Sequence, residues 1–149
     1  MTYIELSKAM NLDTWFNEVL SKKGDDKLRA LITNYESAYI ECGENNHKYI
    51  KEIAKRDDTY LLCVLPTILE IKESMPELSI DDTMNIHTRF IDSIRTWAEF
   101  GGIPINKIHF ADSQRFMDFC YNRDILIDTN KERVETWCKL GGVGILEEN

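Results

Sequence analysis

Prolines and glycines, the residues that most often interrupt helices, are few in this chain and fall between its periodic apolar segments. The 149 residues include 3 prolines and 7 glycines. In the segments between them, apolar residues recur at the three- and four-residue spacing of an amphipathic helix. The one apolar stretch that suggests a strand, Ile125-Leu126-Ile127, is too short to outweigh that pattern. This distribution of prolines and glycines between periodic segments predicts an all-α fold of seven to eight helices joined by short loops.

The longest predicted helix lies near the middle of the chain. Residues 79–82 supply its N-terminal cap, and Gly101-Gly102 end it after Phe100. Its apolar residues fall on one face: Met84, His87, Phe90, Ile91, Ile94, Trp97 and Ala98. We expect residues 83–100 to form a central helix that the other helices surround.

Shorter helices are predicted on both sides of this one. Asp57 or Asp58 begins a helix that Pro66 should break, so that two helices meet near Leu65. Another helix follows Pro104, and Thr129 or Asn130 caps the last one. A short helix that Asn45 or Asn46 begins is also predicted. The residues expected to face inward from all of these helices are Tyr49, Ile50, Ile53, Ile105, Ile108, Phe116, Met117, Cys120, Val134, Trp137 and Leu140.

The length of the chain suits one domain rather than two. We expect a single helical domain over residues 1–149, with residues 1–24 as an N-terminal helical extension and residues 25–142 as the core of the bundle. Neither a basic region followed by an apolar one nor a long apolar run occurs, and the longest apolar run is Leu61 to Leu65. A cytoplasmic protein without a membrane span or a secretion signal is therefore predicted.

The charge of the chain argues against two classes of partner. Lys and Arg number 18 against 26 Asp and Glu, which gives a net charge of -8. A surface this acidic repels nucleic-acid backbones and anionic membranes. Neither partner is expected.

Residues for catalysis or metal binding do not form a complete set. Glu44 and His47 make one E-x-x-H, but a di-iron bundle needs a second one. Glu70 and Glu73 make an E-x-x-E, as in helical magnesium pyrophosphohydrolases, without the second acidic pair. A non-enzymatic protein with no cofactor and no metal is the prediction, and a magnesium pyrophosphohydrolase stays open as an alternative. A Cys-His nucleophile also stays open, because its partners need only meet in space.

The four cysteines are widely spaced, and no C-x-x-C pair occurs. In a reducing compartment they are expected to be free, mostly buried thiols: Cys42, Cys63, Cys120 and Cys138.

One segment of the chain occurs twice in similar form. TWAEFGGIPI (Thr96 to Ile105) and TWCKLGGVGI (Thr136 to Ile145) share a tryptophan followed by a glycine pair. Either a unit has been duplicated, or two helices end on the same glycine cap. The second interpretation is favoured, because a repeat protein needs about three units.

Three stretches of sequence carry a family resemblance. HKYIKEIAKRDDTYLLCVLPTILEIKESMPE (His47 to Glu77) resembles a segment of the poxvirus Bcl-2-like proteins, with Asp57-Asp58 followed by an apolar helix. LITNYESAYI (Leu31 to Ile40) is similar to the first long helix of that family. RTWAEFGGIPINKIHFADSQRFMDF (Arg95 to Phe119) resembles the end of its central helix and the segment that follows.

The resemblance implies a compact Bcl-2-like bundle that acts by binding and not by catalysis. Members of the family occupy host signalling proteins in the pathways to NF-κB and interferon, and several are homodimers. Others bind BH3 helices and block apoptosis. In those, an N-W-G-R motif pairs its arginine with an aspartate of the ligand, whereas this chain has Thr96-Trp97-Ala98-Glu99, and Glu99 would repel that aspartate.

The favoured hypothesis is therefore a viral inhibitor of innate immune signalling in the host cytoplasm, able to form a homodimer. An anti-apoptotic protein is the alternative, and so is an acidic bacterial or phage inhibitor of the immunity-protein kind that neutralises a basic toxin. Aromatic side chains are common interface anchors. The candidate partner-binding residues are Tyr35, Tyr39, Phe116 and Trp137.

Overall fold

The fold is a parallel β-sheet with helices packed against it. The computed structural model describes residues 1–10, Arg29, Ile32 and residues 47–147. Its strands are β1 (Thr2–Glu5), β2 (Thr59–Leu65), β3 (Ile108–Asp112), β4 (Ile125–Asp128) and β5 (Val143–Leu146). Its helices are α1 (Leu6–Ala9), α2 (His47–Lys55), α3 (Ile68–Ser74), α4 (Ile80–Phe100) and α5 (Lys131–Lys139), with 3-10 turns at Ile105–Lys107 and Phe116–Phe119.

Within the described part of the chain the sheet has five strands, in the order β3-β2-β1-β4-β5. Every neighbouring pair is parallel, and Tyr3 of β1 lies opposite Tyr60 of β2 on one side and Leu126 of β4 on the other. After β1 the chain builds outward through β2 and β3, and then crosses to the other side of β1 to build β4 and β5. The direction of winding therefore reverses between β1 and β4.

The prediction of an all-α Bcl-2-like bundle is wrong, because the described part of the chain is an α/β fold. The apolar run Leu61 to Leu65 is not helical but belongs to the inner strand β2. A parallel strand that is covered on both faces is apolar at consecutive positions, so it lacks the alternation that marks a half-exposed strand. Ile125-Leu126-Ile127, judged too short for a strand, is most of β4, and it lies next to the central strand.

Three further expectations fail because strands of the sheet occupy positions where helices, or the end of the core, were expected. Residues 59–65 form a strand where a helix was predicted, and Pro66 follows that strand instead of separating two helices. The predicted helix after Pro104 is replaced by a 3-10 turn, β3 and a second 3-10 turn. The expected N-terminal helical extension begins with β1, which is the middle strand of the sheet, and β5 lies beyond the expected end of the core at residue 142.

The helices with strong capping signals are confirmed. The Ser79 side chain accepts a hydrogen bond from the Asp82 amide and begins α4, and the Asn130 side chain accepts one from the Arg133 amide and begins α5. After each helix a glycine adopts a positive φ, which is 83° at Gly102 and 94° at Gly141. The repeated T-W…G-G sequence thus marks two helix ends, and the glycine with positive φ is the second of the pair in the first copy and the first of the pair in the second copy.

Among the helices that the structure describes, none encloses α4, which packs on the sheet. It buries Phe90, Ile94 and Trp97, while Met84 and Phe100 are exposed. Its buried residues belong to the hydrophobic cluster on one face of the sheet, together with residues of β1, β2 and α2. No helix in the described residues is long and apolar enough to cross a membrane.

The opposite face of the sheet has a smaller, aromatic core. Tyr3, Leu62 and Leu126 point to this face and pack with Phe116 and Trp137. Because the strands are parallel, their carboxyl ends all lie at one edge of the sheet. This edge is called the carboxyl edge below.

Candidate functional site

Two acidic residues lie at the carboxyl edge where the winding of the sheet reverses. Glu5 is the last residue of β1, and Asp128 is the last residue of the neighbouring strand β4. Open α/β sheets bind their ligands outside the carboxyl ends of the strands at such a reversal. The topology therefore favours a functional site at this edge.

Arg133 of α5 connects the two carboxylates. Its Nε donates to Asp128 Oδ2 at 2.7 Å, and its Nη2 donates to Asp128 Oδ1 at 2.9 Å and to Glu5 Oε2 at 3.2 Å. Asp128 is 0% exposed and Glu5 is 2% exposed. Buried charges require such pairing, because an unpaired ion in a protein interior is strongly unfavourable.

Glu5 has several donors besides the arginine. It accepts hydrogen bonds from the amide and the hydroxyl of Ser7 and from the amide of Val64 in β2. Burial raises the pKa of Glu5, and the nearby Arg133 charge opposes that rise. Ser7 Oγ also lies 3.0 Å from Thr129 Oγ1. Glu5, Ser7, Asp128, Thr129 and Arg133 are called the switch-point cluster below, and their contacts tie β1, β2, β4 and α5 together.

A cleft of about 420 Å³ opens along the same edge, at the ends of β2 and β3. We call it the edge cleft. Its apolar surface comes from Leu65, Ile91, Phe110, Ala111 and Phe119. Ile91 belongs to α4, so the cleft lies between that helix and the strand ends. Its volume is within the range of small-molecule sites.

The polar groups of the edge cleft come from α4 and from the loop after β3. They are His87, Asp112, Arg115 and Asp118. Asp112 Oδ1 accepts hydrogen bonds from the amides of Gln114 at 2.9 Å and of Arg115 at 2.8 Å, which fixes the start of the loop. The Arg115 and Asp118 side chains are exposed, and no ion pair found among the described residues includes either one.

A second contact holds this loop against the end of β2. Ser113 Oγ donates to Glu70 Oε1 at 3.1 Å. Glu70 also completes a capping box with Thr67 at the start of α3. The loops that follow β2 and β3 are therefore connected beside the edge cleft.

The four aromatic residues predicted to bind a partner are not brought together at a surface. Tyr35 and Tyr39 lie outside the described residues. Phe116 is 3% exposed and Trp137 is 0% exposed, and Trp137 Nε1 donates to the carbonyl of Asp124 at 2.8 Å. Both described side chains pack in the aromatic core, so they are not accessible in this conformation, and their part in partner binding stays a prediction.

The structure describes several of the glutamates and cysteines that were candidates for chemistry in the sequence. Glu70 belongs to the capping box, whereas Glu44 of the E-x-x-H pair lies outside the described residues. Cys63, Cys120 and Cys138 are free thiols, and burial raises the pKa of Cys63 and of Cys120. Within residues 1–10 and 47–147 no group of three His, Cys, Asp or Glu side chains is placed to hold a metal ion.

Sequence reasoning missed the switch-point cluster. The available signal was Asp128-Thr129-Asn130 directly after an apolar triplet, which is typical of a buried strand followed by a helix cap. The N-terminal residues Tyr3-Ile4-Glu5 gave a similar but weaker signal. Both were outweighed by the helical periodicity elsewhere in the chain.

Comparisons of this chain with protein-family models, with curated proteins and with solved structures give no match.

Proposed function

We propose that this protein binds a small organic molecule in the edge cleft, and that the switch-point cluster holds the adjoining strand ends in position. The observation that carries the proposal is the location of the cleft. A cleft of about 420 Å³ opens at the carboxyl ends of the parallel strands β2 and β3, on the same edge of the sheet as the reversal of winding between β1 and β4. Open α/β folds bind ligands outside the carboxyl ends of their strands.

The lining of the cleft suits an organic ligand better than a bare ion. Leu65, Ile91 and Phe110 provide apolar surface, and burial of apolar ligand area against it is favourable by roughly 25 cal/mol per Å². The charged groups of Arg115 and Asp118 are exposed, so they can orient a polar part of the ligand.

The switch-point cluster supports the site as a brace. The carboxylate of Glu5 is occupied by Ser7, Val64 and Arg133, and the carboxylate of Asp128 is occupied by Arg133 and by the Asn130 amide at 3.0 Å. Groups with their hydrogen-bonding capacity filled in this way hold loops in a fixed geometry. A rigid edge lowers the conformational entropy that a ligand must remove.

A cleft-filling variant tests this function. Purified protein is screened by ligand-observed NMR against small acids, amines, amino acids and sugars, and each compound that binds is tested again with Ile91→Trp. We expect Ile91→Trp to abolish binding, because the indole fills the cleft. The matched control Ile80→Trp, at an exposed position of the same helix, should bind normally. Equal binding by both variants would contradict the proposal.

A second candidate, magnesium-assisted phosphate-ester chemistry, is favoured by one contact. The Nη2 atom of Arg133 lies 3.2 Å from a Glu5 oxygen and 2.9 Å from an Asp128 oxygen, so a single cationic atom touches both carboxylates. Mg²⁺ is commonly held by one or two carboxylates together with substrate phosphate oxygens. This candidate requires the Arg133 side chain to withdraw when the ion binds.

The test of the second candidate is turnover of p-nitrophenyl phosphate with and without Mg²⁺. If the candidate is right, turnover depends on Mg²⁺ and is lost in Glu5→Gln and in Asp128→Asn. Thermal unfolding of both variants shows whether the loss reflects chemistry or unfolding. Turnover that is absent in the folded wild-type protein at millimolar Mg²⁺ and ester would remove this candidate.

The functions and the location that the sequence predicted stay predictions. They are inhibition of host innate immune signalling, with a BH3-binding or an immunity-protein role as alternatives, in a cytoplasmic location. The encircled central helix that supported the first two is absent from the described fold, so we do not favour them. Capture of a signalling protein from host-cell lysate by the purified chain, with direct binding to that purified protein, would revive the first.

A further inference from the structure

We infer that the ligand of the edge cleft is a zwitterion, a free α-amino acid with an apolar side chain. The inference rests on the proposed function, because it assigns a chemical class to the ligand of the same cleft. It follows from which kinds of group line the cleft and from where the charged ones lie.

The body of the cleft matches an apolar side chain. Phe110 and Phe119 supply aromatic surface, and Leu65 and Ile91 supply aliphatic surface. Aromatic and aliphatic ligand groups both pack well on such surfaces, and aromatic pairs gain further from edge-to-face contact. A volume of about 420 Å³ accommodates one amino acid with a large side chain.

The charged groups of the cleft have opposite signs and lie in one loop. Arg115 contributes a guanidinium, whereas Asp112 and Asp118 contribute carboxylates. The Asp118 amide donates to the Arg115 carbonyl at 3.0 Å, so these two residues are one turn apart. Among the described residues neither side chain has an ion-pair partner, so both charges are available to a ligand.

Ligands with one kind of charge fit this loop less well. A simple organic anion would meet Arg115 but would be repelled by the two aspartates, and a simple amine would meet the aspartates but be repelled by Arg115. A zwitterion places its carboxylate at Arg115 and its ammonium at Asp118. Arginine is well suited to a carboxylate, because its planar group donates two parallel hydrogen bonds.

Four phenyl compounds separate these possibilities by isothermal titration calorimetry. They are L-phenylalanine, which carries both charges, 3-phenylpropionate, which lacks the amine, phenethylamine, which lacks the carboxylate, and N-acetyl-L-phenylalanine amide, which lacks both charges. We expect L-phenylalanine to bind most tightly. Removal of either charge should weaken binding roughly 10- to 100-fold, as expected for hydrogen bonds to charged groups.

Two variants assign the charges to residues. Arg115→Gln should weaken binding of L-phenylalanine and 3-phenylpropionate by about tenfold or more, and it should not weaken phenethylamine, which loses a repulsion. Asp118→Asn should weaken binding of L-phenylalanine and phenethylamine by a similar factor and should not weaken 3-phenylpropionate. Both side chains are exposed, so the variants should remain folded. Arg123→Gln, at an exposed arginine outside the cleft lining, is the matched control.

Each result decides the inference. A single-charge or uncharged compound that binds as tightly as L-phenylalanine overturns it, and so does Arg115→Gln with unchanged affinity for L-phenylalanine. If no apolar amino acid binds but a compound of another class binds in a manner sensitive to Ile91→Trp, the zwitterion is wrong and the proposed function stands. If no compound of any class binds, both fail.

Discussion

Arg133 and Asp128 form a two-point contact at the carboxyl edge, with Nε 2.7 Å from Oδ2 and Nη2 2.9 Å from Oδ1. Asp128 is fully buried, and the same guanidinium reaches Glu5 on the neighbouring strand. The contact joins the start of α5 to the two central strands. Removal of the Arg133 guanidinium should therefore lower the stability of the whole sheet.

Arg133→Met is predicted to lower the free energy of unfolding by about 3 kcal/mol, because it leaves two buried carboxylates without a counter-charge. Urea denaturation at pH 7 followed by circular dichroism measures the loss. Lys131→Met, at an exposed position of the same helix, is the control and should change stability by less than about 0.5 kcal/mol. A loss for Arg133→Met no larger than that of the control would contradict a bracing role.

The burial of β4 predicts that truncation of two leucines lowers the free energy of unfolding by very different amounts. Leu126 is 0% exposed in β4, and Leu140 is 52% exposed after α5. Leu126→Ala should cost about 2 to 5 kcal/mol through lost burial and the cavity left behind, whereas Leu140→Ala should stay within about 0.5 kcal/mol. Chemical denaturation of the two variants compares them directly. The all-α expectation placed Leu140 inward, so a larger loss in Leu140→Ala than in Leu126→Ala would speak for that arrangement.

Gly142 is predicted to be essential for the packing of Trp137. A Cβ at this position would lie 2.3 Å from Trp137 Nε1 and 2.7 Å from Cys120 Sγ, and the tryptophan is fully buried. Gly142→Ala should therefore cost about 1 to 3 kcal/mol and change the tryptophan fluorescence. At Gly102 a Cβ meets open space, so Gly102→Ala should cost only the strain of its positive φ, about 1 kcal/mol, without a change at Trp137. The same fluorescence change in both variants would contradict the stated packing.

Protonation of His109 should weaken the fold as the pH falls. The imidazole centroid lies 5.2 Å from both the Tyr60 and the Phe119 rings, and burial lowers the pKa of His109 below its ordinary value of 6.5. A histidine with a lowered folded-state pKa contributes stability that is present above pH 6.5 and is lost as the pH falls through the folded-state pKa. In His109→Phe that contribution is absent. The free energy of unfolding should then decrease less between pH 7 and pH 5 than in the wild-type protein, and an identical decrease in both would refute the assignment.

The helices of this fold were predictable where side chains mark their ends. Ser79 and Asn130 begin α4 and α5 as expected, because a polar side chain that accepts from the third following amide is a local signal. The strands were not predictable from periodicity. Leu61, Leu62 and Cys63 are all 0% exposed because β2 is covered on both faces, and such a run is indistinguishable by pattern from a buried helix.

The candidate site could not be predicted because its members are distant in the sequence. Arg133 and Glu5 are 128 positions apart and meet only through the crossover that places β4 next to β1. Once β1 and β4 are known to be parallel neighbours, the meeting of Glu5 and Asp128 follows from their place at the strand ends. The aromatic residues Phe116 and Trp137 illustrate the opposite error, since large aromatic side chains are more often buried in a core than exposed at an interface.

The most direct test of the account is to map ligand binding onto the backbone amides. Assigned ¹⁵N spectra of the protein are recorded with and without a compound that binds in the ligand screen. The account predicts shifts at Ile91, Ala111, Asp112 and Arg115, and their loss in Ile91→Trp but not in Ile80→Trp. Shifts confined to residues far from the carboxyl edge, or shifts that persist in Ile91→Trp, would contradict the claim that the edge cleft is the functional site.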